Sequence, residues 1–316
     1  MTANPDESSI DVGRIGFGAM HLSERGRPSR PIAIETVHAA LDAGARLIDT
    51  ADAYCQHSGE TGHNEVLVTE ALEKWTGDRS SITVATKGGH VRDRYGGWSV
   101  DGRPEHLEAA AHASRARLHT DMIDLYQFHR PDPNVEFGRS VGALAHLQRE
   151  GVVRHVGLSN VDVAQIELAG AIVHVSSVQN ELSPMELDSL PVVAWCHHAG
   201  VPFIVWAPFG GRERGRTLAD DPMLNPFMST AVDMGTTVYQ VVLAWLMSLS
   251  PMVVPIPGAS RPSTITDSIA AQMVLLDDAA LTTLDRAVAQ RAGTGNVDRD
   301  LEALRALAVA KSEELA

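Results

Sequence analysis

The feature that most constrains this 316-residue sequence is an alternation. Eight short β-branched runs are each followed by a longer stretch with apolar residues at helical spacing. The runs are Ile15–Met20, Arg46–Thr50, Ile82–Lys87, Met122–His129, Val153–Ser159, Ser177–Asn180, Phe203–Ala207 and Met252–Ile256. The helical stretches are Ile32–Ala43, Glu65–Trp75, Pro104–Leu118, Val135–Arg149, Val161–Ala169, Met185–Ala199, Thr230–Leu249 and Pro262–Gln272. Several stop at a glycine, the residue that most easily takes the left-handed backbone closing a helix. Strands joined through helices must lie parallel, with right-handed crossovers. Eight such units predict an α/β chain folded as a closed (β/α)8 TIM barrel. The competing doubly wound open sheet is disfavoured because Gly16-Phe17-Gly18 runs into Ala19-Met20-His21, without the following glycine and helix.

No linker or shift in composition divides the chain, so residues 1–316 read as one domain, with 277–316 as a C-terminal helical extension. That extension comprises a helix near Asp278–Arg291, a break at Gly293 and Gly295, and an amphipathic helix Asp300–Leu315. Its stripe of Leu301, Leu304 and Leu307 fits either the barrel base or another subunit, and nothing in the sequence sets an oligomeric state.

Composition excludes several functions. Hydrophobic residues make up 44% of the chain, enough for a large core, and a net charge of −14 repels phosphate backbones and anionic membranes. Neither nucleic acid nor a membrane is therefore an expected partner. Cys55 and Cys196 stand alone, which fits a reducing cytoplasm and offers no thiolate zinc site. The start, MTANPDESSIDV, is acidic and polar, unlike a secretory leader, and the most apolar stretch, Val238–Ile256, is broken by polar residues and prolines. The 14 histidines form no HxH or HExxH pattern, so no metal is expected.

A barrel of this type places its site at the C-terminal ends of the strands. The second strand ends at Asp49, with Tyr54 in the loop beyond; the third ends at Lys87 and the fourth at His129. The fifth ends at Ser159-Asn160, the sixth at Gln179-Asn180, the seventh at Trp206, and the eighth runs into Gly258-Ala259-Ser260-Arg261. Each alone has a plain structural explanation, as an ion pair, a core histidine or a packing aromatic. All of them on one rim are harder to explain so.

The residue types specify a chemistry. A phenol beside an ammonium can act as a proton donor, because the cation stabilises the phenolate and would lower its pKa. Asp49 would hold Lys87 charged, and His129 would hydrogen-bond a carbonyl oxygen. Such a site suits a carbonyl accepting a hydride from a nicotinamide. Ser159, Asn160 and Gln179 would bond the carboxamide and Trp206 would stack on the ring, while the loop-to-helix start at Gly258–Arg261 offers an anion site. The glycines of APFGGRERGR suit a loop over a pyrophosphate, or simply a flexible basic loop.

At this point the chain resembles the aldo-keto reductases along essentially its whole length. The matching segments are RIGFGAM, LIDTADAY with GHNE, VATKGG, MIDLYQFHRPDP, GVVRHVGLSN, VQNELSP and PIPGASRP. The wording HRPDP and GASRP resembles the bacterial, potassium-channel β-subunit-like branches more than the mammalian aldose and steroid reductases. The resemblance implies a barrel that binds NADPH and reduces an aldehyde or ketone to an alcohol, with a catalytic tetrad falling on Asp49, Tyr54, Lys87 and His129. It implies cofactor contacts from Gly18, Met20, Asp49, Ser159, Asn160, Gln179, Trp206, Ala207, Pro208, Phe209, Gly258, Ser260 and Arg261. Family positions for Arg, Glu and Asn fall on Thr264, Asp267 and Ser268, and a Lys-Ser pair on Gly258-Ala259. The departures leave Arg261 and Ser260 as expected 2′-phosphate ligands, with NADH the alternative cofactor. Residues Gly88–Arg103 read as a long loop over the mouth, where Tyr95 and Trp98, with His21, are candidate substrate contacts. Two other activities fit the same pattern: a nicotinamide-binding regulatory subunit with little turnover, and a specialised reductase of a keto-sugar or secondary metabolite.

Overall fold

A computed structural model describes residues 10–292 and 295–314. The acidic start (1–9), Gly293 and Leu315 lie outside the described residues. Eight parallel strands form the (β/α)8 TIM barrel: β1 (Phe17–Gly18), β2 (Leu47–Asp49), β3 (Thr83–Gly88), β6 (Ile123–Phe128), β7 (Val153–Ser159), β8 (Val175–Glu181), β9 (Phe203–Trp206) and β10 (Val253–Pro255). The ring closes where Gly16 N–H donates to Pro255 O (2.9 Å) and Gly18 N–H to Pro257 O (3.2 Å). A side chain at Gly18 would place its Cβ 2.8 Å from Ile256 O, so first and last strands meet only because residue 18 is glycine.

The barrel interior is layered by the two-residue period of its strands. Leu47, Ala85, Leu125, Ile204 and Val254 form one buried apolar cluster. Two residues further along β2, β3 and β6 the inward positions are Asp49, Lys87 and Gln127, all buried. Successive inward positions rise by roughly 6.6 Å along a strand. The polar site therefore rests on a dry plug.

Four expectations are revised. Residues Gly88–Arg103 are not a plain loop, because β4 (His90–Arg92) and β5 (Trp98–Val100) pair antiparallel as a hairpin. The stretch Thr230–Leu249 is two helices, Asn225–Asp233 and Val238–Ser248, parted at Gly235 (φ +64°) and restarted by Thr237, whose side chain accepts from Gln240 N–H. The expected helix Met185–Ala199 begins at Leu190, with Pro191 in its first turn. The basic glycine-rich loop contains a short helix, Gly211–Arg216.

The helices Asp278–Ala292 and Gly295–Glu314 bury Leu284, Val288, Leu301 and Leu304 in the cluster that holds Trp245. Trp245 Nε1 donates to Asp285 (2.7 Å), and Arg305 donates to Asp285 (2.9 Å) and Ser248 O (2.7 Å), so Leu301 and Leu304 of the stripe face this chain's own helices. No helix among the described residues is long and apolar enough to cross a membrane.

Candidate active site

Lys87 is the hub of the barrel mouth. Its Nζ donates to Asp49 Oδ2 (2.5 Å), Thr50 O (3.0 Å) and Tyr54 Oη (2.9 Å), so all three ammonium protons are directed. The ammonium has no exposed surface, and a charge that deep is tolerable only with such pairing. Tyr54 reaches it because the chain turns tightly after β2, with Tyr54 N–H donating to Ala51 O (3.3 Å) and Cys55 N–H to Ala53 O (2.9 Å). His129, just past β6, sets its ring 5.7 Å from that of Tyr54 in an edge-on arrangement. The four residues expected to carry the chemistry are thus brought together from three adjacent strand ends.

The electrostatics correct one expectation. Burial, and then the Asp49 carboxylate, push the Tyr54 phenol well above its usual range, so the neighbouring ammonium does not lower it in the free protein. Burial pushes the Lys87 ammonium down, opposed by Asp49. The His129 imidazole falls well below its usual value because of burial and then the charge on Lys87, so the ring is neutral. Its Nδ1 is buried without a partner. In the loop just past Asp49, the buried Asp52 is pushed up to about 8 by burial and by Glu65, and its Oδ1 has no hydrogen-bond partner among the described residues.

Further round the rim, Ser159, Asn160 and Gln179 stand on neighbouring strand ends. Asn160 has φ +59°, and its Nδ2 donates to His129 O (2.9 Å) and Ser159 Oγ (3.0 Å) while its Oδ1 accepts from Arg130 (3.0 Å). A left-handed Asn held by three bonds ties β6 to β7 across the mouth. Gln179 Nε2 donates to Asp49 Oδ1 at 2.7 Å. Trp206 is half-buried, with its Nε1 buried and unpartnered, and Ala207 follows at φ +49°. Pro208 is buried, and Phe209 packs edge-on against Tyr239 at 5.2 Å.

Facing them across the barrel seam, Gly18 and the half-buried Met20 and His21 lie beside Gly258. A Cβ on Gly258 would stand 2.7 Å from His21 Cδ2, and His21 Nδ1 is a further buried atom without a partner. Arg212 donates to Arg25 O (2.7 Å), tying helix Gly211–Arg216 to the first loop. Ser260 and the exposed Arg261 open helix Pro262–Ala270. Thr264 is exposed on its first turn; Asp267 is held by Thr237 Oγ1 (3.0 Å) and Gln240 Nε2 (2.9 Å), and Ser268 is buried. The Asp267 side chain is thus engaged within the protein.

The hairpin divides the substrate candidates. Its Trp98 ring lies 6.4 Å from His129, with the Arg92 guanidinium stacked 3.3 Å from the Trp98 centroid. Tyr95 is at the hairpin turn, 80% exposed, with Arg94 against its ring. His90, which the sequence reading passed over, packs 4.1 Å from the His129 ring centroid and is pushed down to about 4 by burial and then Arg130. Its signal was slight: one histidine three residues past Lys87. Gln127 was also passed over, although a glutamine breaking the apolar run of DLYQFH, in register with Lys87, is a detectable mark.

Comparison with known proteins narrows the chemistry. A family model described as the aldo/keto reductase family matches residues 14–289. An uncharacterised oxidoreductase of Schizosaccharomyces pombe is 32% identical over 87% of this chain and 86% of its own length. Pyridoxine 4-dehydrogenase of Escherichia coli is 31% identical over 87% of this chain and 94% of its own. Among solved structures, the glycerol dehydrogenase of Gluconobacter oxydans superposes with a TM-score of 0.76 at 22% identity, covering 91% of this chain and 97% of that one. An aldo/keto reductase of Klebsiella pneumoniae, crystallised with NADP and acetate, gives 0.71 at 24% identity, covering 87% and 91%.

Proposed function

Because the chain belongs to the aldo/keto reductase family, oxidoreductases acting on carbonyl substrates, we propose that it is an NADPH-dependent reductase converting an aldehyde or ketone to an alcohol. The observation that carries this reading is the three-way bond of Lys87 to Asp49, Thr50 and Tyr54.

The rim fits a nicotinamide. Trp206 Nε1 and His21 Nδ1 are orphaned polar atoms on either side of it, and Gln179 Oε1 has no partner among the described residues. Ser159 and Gln179 would hold the carboxamide, and Trp206 would stack on the ring. Arg261 and Ser260, at a helix start whose free amides favour anions, would take the 2′-phosphate. When bound, the cofactor supplies the hydride.

The chain's own residues handle the proton. Neutral His129, protonated at Nε2, would donate to the carbonyl oxygen and orient it toward Tyr54. Tyr54 keeps its proton through the neutral range, since its pKa is raised, and releases it to the oxygen only as alkoxide character develops there. Lys87 then stabilises the phenolate at 2.9 Å, and Asp49 keeps the ammonium in place. A positioned acid of this kind contributes about 10²–10⁴-fold.

Two measurements test the reading. Trp fluorescence titration should give tighter binding of NADPH than of NADH, and a carbonyl panel should then show turnover. Tyr54→Phe should bind NADPH as wild type does while turnover falls by about 10² or more. Binding without turnover in wild type would point instead to a regulatory subunit; no binding of either cofactor would overturn the proposal.

A further inference from the structure

The polar layer of the barrel contains one amide that the scheme above leaves unused. Gln127 has no exposed surface, and on β6 it lies in register with Lys87 on β3 and with Gly157 on β7. A Cβ on Gly157 would stand 2.9 Å from Gln127 Cγ and 2.4 Å from Ser177 Oγ. Strand β7 thus carries no side chain at this level, and the space is taken by Gln127. A buried amide is costly unless it is bonded, and this one is bonded to the site. Its Nε2 donates to Asp49 Oδ1 at 3.3 Å, and its Oε1 accepts from Gln179 Nε2 at 3.5 Å. The same Gln179 nitrogen donates to Asp49 Oδ1 at 2.7 Å.

The carboxylate decides which way both amides face. Asp49 Oδ2 accepts from Lys87 and its Oδ1 accepts from both amides, so each glutamine turns its nitrogen toward Oδ1. Both N–H groups of Gln179 are then directed inward, one to Asp49 and one to Gln127. Its oxygen is left facing away from the carboxylate.

We propose that Gln127 is a positioning residue that clamps Asp49 and Gln179 into one unit, so that Gln179 presents its oxygen, and only its oxygen, to a nicotinamide carboxamide. The proposal rests on the nicotinamide reading of the site. It joins two tasks that would otherwise be separate: the carboxylate behind the proton donor and the amide that receives the cofactor share one hydrogen-bonded pair. Gln179 can then accept from the carboxamide amino group but cannot donate to the carboxamide oxygen. Without Gln127, Gln179 keeps one bond to Asp49 and is free to rotate about it.

The test compares binding of NADP⁺ with binding of its 3-acetylpyridine analogue, which lacks the amino group, by quenching of Trp fluorescence. Wild type should prefer NADP⁺ by about tenfold, the worth of one accepted hydrogen bond. Gln127→Met keeps the unbranched shape and deletes both bonds; the preference should fall to within about twofold. Gln127→Glu keeps the shape and the acceptor. While its carboxyl is protonated it can donate to Asp49, and the preference should stay near that of wild type. At higher pH the introduced group ionises against Asp49, whose other oxygen is paired with Lys87, and the preference should collapse. An unchanged preference in Gln127→Met, a flat pH response in Gln127→Glu, or equal affinity of wild type for the two dinucleotides would each overturn the clamp while leaving the nicotinamide reading standing. Failure of wild type to bind NADP⁺ at all would remove that reading, and the clamp with it.

Discussion

The two ends of the proposed cofactor groove are built differently. At the mouth, Asp49, Lys87, Gln127 and Gln179 are buried and bonded to one another, and the first three are seated on an apolar layer one step down the same strands. At the opposite end, Arg261 and Thr264 are exposed at the start of a helix, and Asp267 is committed to Thr237 and Gln240. The mouth is set by strand register, in which moving one residue would turn every polar side chain out of the barrel. The far end is set by a loop and a helix start, where backbone amides serve any anion. The contrast suggests that chemistry is the less changeable property of this chain and nucleotide selectivity the more changeable one.

The sharpest way to break that contrast is at its rigid end. Lys87→Met should lower single-turnover hydride transfer by on the order of 10³, because it removes the cation that stabilises the phenolate and leaves Asp49 unpaired. NADPH affinity should change far less, and a loss confined to affinity would contradict the division.

A second change tests how strained the mouth is in the loop that carries Tyr54. Asp52 titrates near 8 in the folded protein and as an ordinary carboxylate when unfolded. Between those values the folded state binds the extra proton, so stability falls as pH rises from about 4 toward 8. Asp52→Asn should remove that dependence and raise stability at pH 8 by on the order of 1–3 kcal/mol, with little effect at pH 4. Thermal melts of both proteins across that range give the comparison directly.

The smallest effect belongs to the adjustable end. Arg261→Ala should weaken NADPH binding about tenfold, the worth of one charge-assisted contact, and leave NADH binding and single-turnover hydride transfer unchanged. A drop in the rate of the chemical step would mean that the two ends are not separable.

Much of this was legible along the chain because barrel and helix periods are local. Alternating runs predict the strands, and the ends of those strands hold Asp49, Lys87, His129, Ser159 and Gln179. Tyr54 follows from its distance beyond Asp49. The hairpin His90–Arg92/Trp98–Val100 was not legible, since its three-residue strands are stabilised by contacts with the β2 loop and the first loop. There Ser58 N–H donates to Asp93 O (3.0 Å), Arg92 donates to Ala53 O (3.4 Å), and Arg92 pairs with Glu24.

By itself, then, the sequence determined the barrel and the residues offered at its mouth, because hydrophobic period and strand length act within a few residues. Only the tertiary structure decided what those residues do to one another. Gln127 meets Asp49 across 78 positions and Gln179 meets it across 130, distances at which no local pattern carries information. The direction of the Tyr54 shift was likewise decided there. Beside an ammonium a phenol is expected to become more acidic, yet burial and a carboxylate outweigh the cation, and their balance depends on how completely the closed barrel excludes water.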